Sequence, residues 1–319
     1  MGISPLAILL WEFNTPRHML RNVIGIFVFL VFVLHLASPS ERTGATIRTE
    51  ELARSIPART GQDLTGSQFA QYVSKMNPQE REQAIRDEIL KGNLPEFLRK
   101  LVPVELHCKL PSGRSLTATI FVTPDYLAIG SDTDFLRIPM NLPTAAAIAD
   151  RFGFILPTRK MVDAIYLQSR YHLVPQPLPA GPQMRSTAYY WTHNQMVQDQ
   201  AHALGVRLGE LVSGDKKDVV ISNRLAANVG RVAIYGWHRG PGQPIQPLST
   251  VHGVNYADYS HGIRLISEMA LINGEVRSVY DILRDSSTAK VLTDEGPIHL
   301  NWEIFSLHQE SPTILKGLE

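Results

Sequence analysis

Cysteine is almost absent from this 319-residue chain, in which Cys108 is the only one. A single cysteine forms no internal disulfide, so the sequence excludes a disulfide-stabilised scaffold while tolerating an oxidising compartment. The surrounding segment VELHCKL alternates like a β-strand. We therefore predict that Cys108 is a small buried hydrophobic residue and not a nucleophile.

Excess charge of either sign is also absent. The chain has 31 Lys and Arg residues and 30 Asp and Glu residues. The only Lys, Arg, Asp and Glu residues among positions 1–40 are Glu12, Arg17 and Arg21. Residues 41–319 therefore carry 29 charges of each sign. Nucleic-acid-binding proteins normally carry a basic face or stripe, so this balance gives no reason to expect a nucleic-acid partner.

The apolar run at residues 23–37, VIGIFVFLVFVLHLA, is only fifteen residues long. A membrane-spanning helix needs about 20 residues, whereas this length fits the apolar region of a secretory signal. Arg17 and Arg21 supply the positive segment before it. We predict that residues 1–40 are a signal peptide or an N-terminal anchor. The rest of the chain is then exported, to the periplasm or the cell exterior, and meets the membrane only through this segment.

Met19 heads a complete positive and apolar segment of ordinary signal size, so we expect translation from Met19 to suffice for export. Ser38 and Ser40 fit the small-residue preference for cleavage after Ser40, although Pro39 lies between them. An uncleaved anchor formed by residues 23–37 is the alternative.

The sequence of residues 41–103 indicates a linker followed by helices. Residues 41–65 are polar and aperiodic, which indicates a linker, and residues 66–103 form a predicted helical appendage. The clearest start is Asn77-Pro78, with Asn at the N-cap, Pro at N1 and Glu80 at N3. Predicted helices in the appendage cover residues 67–76, 78–91 and 95–102.

Residues 104–319 predict a mixed main domain, with Asn273-Gly274 as a hairpin turn. A late strand is expected to end near Phe305. Helices followed by mixed elements and then neighbouring strands predict an α+β fold with a mainly antiparallel sheet. Predicted strands cover residues 104–110, 116–122, 126–130, 218–222, 231–237, 261–267 and 269–272, and predicted helices cover residues 144–152, 158–170, 189–204 and 278–284.

The segment STVHGVNYADYSHGIRL at residues 249–265 holds the candidate site. His252, Asp258 and His261 are residue types that bind Zn²⁺ while leaving one position open for water. Trp237-His238 lies just upstream, and we expect His238 to reach the same site. No HExxH motif accompanies these residues, so a metal-free site with a histidine as general base, oriented by Asp258, is the alternative.

A regular strand would point Asp258 and His261 to opposite faces of the sheet. The two side chains meet only if residues 258–261 form a turn or bulge. We expect the glycines at positions 253 and 262 to make such tight turns accessible.

Two other features compete with this interpretation. Ser260 is a candidate nucleophile, with His238 or His252 as its base, but no G-x-S-x-G elbow surrounds it. Lys216-Lys217-Asp218 lacks a Gly-rich loop and is predicted to be a solvated turn instead of a phosphate site.

The blocks LPTRKMVDAIY, KKDVVISNRL and YADYSHGIRL resemble those of exported bacterial proteins of unassigned function. The order of His252, Asp258 and a further histidine also resembles that of zinc D,D-peptidases. Here the gap from His252 to Asp258 is one residue shorter than in those enzymes, and Trp-His precedes the pair. The likeness spans about ten residues and implies no fold.

Together these features predict an exported cell-envelope hydrolase that cleaves an amide or ester bond, with Zn²⁺ as the candidate cofactor. A cell-wall peptide or glycan is the expected substrate. The alternative is a non-catalytic envelope or glycan-binding protein, in which the same residues only shape a groove.

Overall fold

The computed structural model describes residues 55–110 and 112–299. The predicted signal segment, the predicted start at Met19, most of the predicted linker and the predicted late strand near Phe305 lie outside these ranges. Within them, no helix combines the length and the apolar composition that crossing a bilayer requires.

The chain begins with two helices whose first turns are fixed by local hydrogen bonds. Helix α1 spans Gly66–Tyr72 and helix α2 spans Pro78–Leu90. The Asn77 side chain accepts hydrogen bonds from the backbone N–H of Glu80, while the Glu80 side chain accepts one from the N–H of Asn77. The predicted start of α2 is therefore confirmed. The third predicted helix is a single 3₁₀ turn, Glu96–Arg99.

Both helices pack directly on the elements that follow. Helix α1 contacts the hairpin of β3 (Ala128–Ser131) and β4 (Asp134–Arg137), and α2 contacts helix α3 (Leu142–Phe152). Gly66 permits this approach, because a Cβ there would lie 2.5 Å from the backbone carbon of Phe135.

The larger sheet has six strands, and every pairing in it is antiparallel. Its order is β14-β13-β2-β12-β5, with β1 also paired to β2. Asn273 and Gly274 both have positive φ angles, 49° and 88°, and connect β13 to β14 as the sequence predicts. The strands are β1 (Val102–Lys109), β2 (Ser115–Val122), β5 (Phe154–Ile155), β12 (Ile266–Ser267), β13 (Met269–Ile272) and β14 (Glu275–Ser278).

A second sheet of four strands carries the candidate site. Its order is β10-β9-β8-β11, and only the β8–β11 pair is parallel. All six residues of β9 are buried, whereas β10 is an edge strand that was not predicted. Pro244 and Pro247 obscure its pattern, and an edge strand tolerates them. The strands are β8 (Lys217–Val220), β9 (Ala233–His238), β10 (Pro244–Ser249) and β11 (His261–Gly262).

The remaining elements cover the two sheets and complete the mixed architecture. Two short strands pair in parallel, and four more α-helices lie among the sheets. The predicted α+β class with mainly antiparallel sheets is confirmed. These elements are β6 (Tyr171–His172), β7 (Val212–Ser213), α4 (Arg159–Gln168), α5 (Thr187–Ala203), α6 (Arg224–Ala227), α7 (Val279–Arg284) and the 3₁₀ turns Pro182–Arg185 and Ala289–Val291.

Candidate functional site

Residues 258–261 form a turn that interrupts the chain just before β11. The backbone oxygen of Asp258 accepts a hydrogen bond from the N–H of His261 at 3.0 Å. The Asp258 carboxylate accepts two more from Ser260, at 2.8 Å from its N–H and 2.6 Å from its hydroxyl. An aspartate whose carboxylate accepts a hydrogen bond from the N–H two residues later stabilises turns of this kind. The predicted break in strand geometry is therefore present.

Strand β8 and Lys216, the residue before it, fix this turn in place by hydrogen bonds. The N–H of Lys217 donates to the backbone oxygen of Ser260 at 2.7 Å, and His261 pairs with Lys217 in the parallel ladder. The Lys216 ammonium donates to the backbone oxygen of Tyr259 at 2.7 Å. Three successive residues of the turn are thus fixed to the sheet, which sets the position of the two side chains at its ends.

The role predicted for the two glycines is wrong. Neither Gly253 nor Gly262 has a positive φ angle, so neither supplies a left-handed turn. A Cβ at residue 262 would lie 2.6 Å from the Tyr126 ring and 2.8 Å from the Lys216 Cβ, whereas Gly253 faces open space. Gly262 is required for the close approach of β11 to Tyr126, and the turn itself is made by Asp258.

The turn brings three predicted residues together and adds a tyrosine that was not predicted. The Nε2 atom of His261 lies 3.9 Å from a carboxylate oxygen of Asp258. The ring of His252 lies 6.3 Å from that of His261, centroid to centroid. Tyr256 joins the group, since its ring stacks on His252 at 4.0 Å and its hydroxyl donates to Asp258 at 3.0 Å. We call His252, Tyr256, Asp258 and His261 the histidine cluster.

His261 is the most unusual member of the histidine cluster. It is fully buried, and neither ring nitrogen has a hydrogen-bond partner among the described residues. Burial lowers the pKa of His261 to about 4, although Asp258 acts in the opposite direction. The imidazole is therefore neutral near pH 7, with one donor and one acceptor that are both unused.

The other two titratable groups have different environments. Burial raises the pKa of Asp258, but His261, Ser260 and Lys217 outweigh it and hold that pKa below its ordinary value. His252 is only half-buried, and burial together with Lys217 lowers its pKa as well. The cluster therefore combines an ionised carboxylate with two neutral imidazoles. Of these two, His252 is the one that is partly exposed to solvent.

His238 is not brought into the cluster. Its Nε2 atom lies 3.1 Å from a carboxylate oxygen of Asp163 on α4. Its ring stacks on Tyr166 at 4.6 Å and meets Tyr235 edge to face at 5.6 Å. Among the described contacts, none joins His238 to the histidine cluster. The predicted convergence of all four residues is therefore wrong, because β9 directs His238 towards α4.

Ser260 and the lysine segment also differ from expectation. The Ser260 hydroxyl donates to Asp258, and no described hydrogen bond joins it to a histidine. Lys216 and Asp218 are buried, so the prediction of a solvated turn is wrong. Lys216 contacts the Nδ1 atom of His193 at 3.1 Å, and burial lowers its pKa to about 8. Asp218 accepts a hydrogen bond from the Tyr126 hydroxyl at 2.9 Å.

The cluster is not arranged as a ready metal centre. In the ranges that the structure describes, no group of three or more His, Cys, Asp and Glu side chains has the geometry to hold a metal ion. Two imidazoles on one tetrahedral zinc have centroids about 5 Å apart, against 6.3 Å for His252 and His261. The stacking of His252 on Tyr256 maintains the larger separation.

A groove of about 1020 Å³ lies beside the cluster. Its walls include the first turns of α2 and, across from them, Arg185, Asn255 and Ala257. Asn255 and Ala257 flank Tyr256, and the Arg185 guanidinium carbon lies 5.3 Å from the centroid of the Tyr256 ring. None of the four residues of the histidine cluster is among those described as lining the groove, which borders the cluster through Arg185 and through the two neighbours of Tyr256 in the chain.

Sequence reasoning missed Tyr256, Arg185 and the groove. The NYADY pattern places a tyrosine two residues before Asp258, which is a usable local signal for the Tyr256–Asp258 hydrogen bond. Arg185 and the residues of α2 have no such signal, because they approach this segment from distant parts of the chain. Comparison with protein-family models, curated proteins and solved structures found no significant match to this chain.

Proposed function

We propose that the protein is an exported cell-envelope hydrolase that cleaves an amide or ester bond at the histidine cluster. The observation that carries the proposal is His261, a buried neutral imidazole with two unused nitrogens beside the ionised Asp258. Buried polar groups normally have partners, and exceptions are common where a site binds or reacts. The signal-like residues 1–40 support the location.

The proposal gives each group of the histidine cluster a role. His252 is the general base, because it is neutral and half-buried, so that solvent water reaches it. Asp258 stabilises the imidazolium that forms when His252 takes the proton, and Tyr256 keeps the two groups together. His261 is fully buried, so in this proposal its imidazole positions Asp258 and touches neither water nor substrate.

Zinc is a second form of the same proposal. His252, Asp258 and His261 would be its ligands, and the unused nitrogens of His261 favour it. Binding would require His252 to rotate away from Tyr256, so that the two imidazoles come closer. Zinc would then lower the pKa of a bound water.

The size of the groove supports a polymeric substrate. A volume of about 1020 Å³ accommodates several residues of a peptide or several units of a glycan. Both are polymers of the cell wall, which an exported protein meets. The groove also supports the rival function of a non-catalytic envelope or glycan-binding protein.

Product analysis separates the two functions. Purified full-length protein is incubated with isolated peptidoglycan, and the soluble products are identified by mass spectrometry. New amino or carboxyl ends indicate hydrolysis, and binding to the insoluble polymer without new ends indicates the rival. Repeating the digestion after chelation and after zinc addition decides the metal: activity that is lost and then restored requires zinc, and unchanged activity requires the metal-free mechanism.

A further inference from the structure

A second, smaller cavity adjoins the groove and has an unusual charge. It has a volume of about 320 Å³, and Arg81 and Arg185 are the only charged residues among those described as lining it. Both arginines also line the groove, so the two spaces share a wall. We call this cavity the arginine subsite. The remaining lining residues are Ser74, Met76, Pro78, Pro182, Ser186 and Thr187.

Arg81 is buried without an acidic partner. Only 5% of it is exposed, and no ion pair joins it to another described residue. Its two terminal nitrogens donate to neutral oxygens, to the Thr187 hydroxyl at 3.3 Å and the Tyr190 hydroxyl at 3.2 Å. The Nε–H has no acceptor among the described residues. The Tyr190 ring lies 4.6 Å from the guanidinium carbon, and Glu82 interacts with Arg81 only electrostatically. A buried guanidinium normally has an anion in direct contact, and the Nε–H of Arg81 is free to bind one.

Arg185 adds a second positive charge on the exposed side. It lies over the Tyr256 ring and has no ion pair among the described residues. Glu82 lines the groove and interacts electrostatically with both arginines, and it accepts a hydrogen bond from the N–H of Asn141 at 3.2 Å. Burial raises the pKa of Glu82 to about 7, so it is a weak counterion at neutral pH.

Glu80 and Asp87 also line the groove, but their carboxylates have other partners. Glu80 accepts a hydrogen bond from the N–H of Asn77, and Asp87 accepts one from the Gln83 amide at 2.7 Å. Neither residue lines the arginine subsite. The positive charge is therefore local to one end of the groove, next to Tyr256.

We propose that Arg81 and Arg185 bind an oxyanion, the carboxylate of an acidic peptide that lies in the groove. Guanidinium groups recognise carboxylates by charge-assisted hydrogen bonds. The Tyr256 ring would separate the bound anion from His252, because Tyr256 stacks on His252 and lies beneath Arg185. The description of this peptide as a substrate rests on the proposed hydrolase function; its binding does not.

Calorimetry with defined probes tests the subsite. The probes are an acetylated hexaglutamate peptide, the matching hexaglutamine peptide and inorganic phosphate, each titrated into the full-length protein. We expect the acidic peptide to bind and the neutral one not to. Arg185→Gln should lower the affinity for the acidic peptide about tenfold, because one charge-assisted contact is lost. Arg239→Gln is the matched control, an exposed arginine that lines neither cavity, and should change nothing.

Three results would overturn the proposal: equal binding of the two peptides, unchanged affinity in Arg185→Gln, or an equal loss in Arg239→Gln. Phosphate that binds as tightly as the acidic peptide would also overturn it, by assigning the subsite to a free anion. Arg185 is exposed, so its variant is expected to fold, and Arg81→Lys then tests the buried position. Because binding is measured without turnover, absence of hydrolysis contradicts the proposed function and leaves the subsite standing.

Discussion

At the residue scale, the distinctive feature of the molecule is the buried, unpartnered imidazole of His261. A polar group without a hydrogen bond costs on the order of 1–3 kcal/mol when it is buried. Protonation would cost more, since burial already lowers the pKa of His261 to about 4. The fold therefore maintains a neutral histidine at a position where an apolar residue would be more stable.

This environment predicts a pH dependence of stability. The folded pKa of His261 lies below its unfolded value of about 6.5, so its contribution is complete above pH 6.5 and is lost as the pH falls towards 4. The loss amounts to about 3 kcal/mol. Urea unfolding between pH 7 and pH 4 should therefore show a steeper decline in the wild type than in His261→Gln.

Comparing the wild type with His261→Gln separates the effect of His261 on stability from the effects of the other titratable groups. The pKa of Glu82 is raised by burial to about 7, so Glu82 stabilises the fold as the pH falls, and this effect is present in both proteins. Parallel stability curves for the wild type and His261→Gln would mean that His261 is not held neutral.

At the element scale, the turn at residues 258–261 connects the histidine cluster to β8. Its hydrogen bonds come from neighbouring residues and from the buried Lys216, which directly precedes the adjacent strand. The chain contains a second turn of the same design, because Asp285 accepts hydrogen bonds from the N–H and hydroxyl of Ser287, both at 2.8 Å. The second turn is exposed, whereas the first is buried.

The two turns provide a matched pair of substitutions. Ser260→Ala removes a buried hydrogen bond to a carboxylate and should lower the free energy of unfolding by about 1–3 kcal/mol. Ser287→Ala removes the same bond in solvent and should have a much smaller effect. Thermal or urea unfolding measures both, and equal losses would show that burial of the first turn is unimportant.

Elements whose signals are local were predictable from the sequence. Asn77, Pro78 and Glu80 fix the start of α2 within four residues, and Asn273-Gly274 fixes the hairpin between β13 and β14. In the candidate site, His252, Asp258 and His261 lie within ten positions, so their proximity was also accessible.

Contacts between distant residues were not predictable. Lys216 was expected in solvent, but its partners His193 and Tyr259 lie 23 and 43 positions away. His238 pairs with Asp163, which is 75 positions distant. A buried charge is recognised only when its partner is known, and periodicity carries no information about that partner.

At the scale of the whole molecule, the groove and the histidine cluster draw on distant segments of the chain. The groove extends from the first turns of α2 to residues 255 and 257, so the proposed binding of substrate would involve parts of the chain that are far apart in sequence. The proposed envelope substrate requires that the protein leave the cytoplasm, and the predicted signal at residues 1–40 would provide that export.

Export is therefore a prediction in its own right. Residues 19–45, fused to a reporter that functions only outside the cytoplasm, should produce a signal, because Arg21 and the apolar run at 23–37 form a complete signal. Residues 1–18 should be dispensable. A reporter that remains inside the cell would remove the localisation and the envelope substrate with it.

The central claim is that His252 acts in the reaction, and the rate of hydrolysis in matched histidine variants tests it most directly. His252→Ala should reduce the rate of release of products from peptidoglycan by at least about 100-fold, the usual contribution of a general base. Its free energy of unfolding should stay within about 1 kcal/mol of the wild type, since a half-buried side chain contributes little packing. His202→Ala, an exposed histidine on α5, should retain the full rate. A His252→Ala protein that is folded and as active as the wild type would contradict the account.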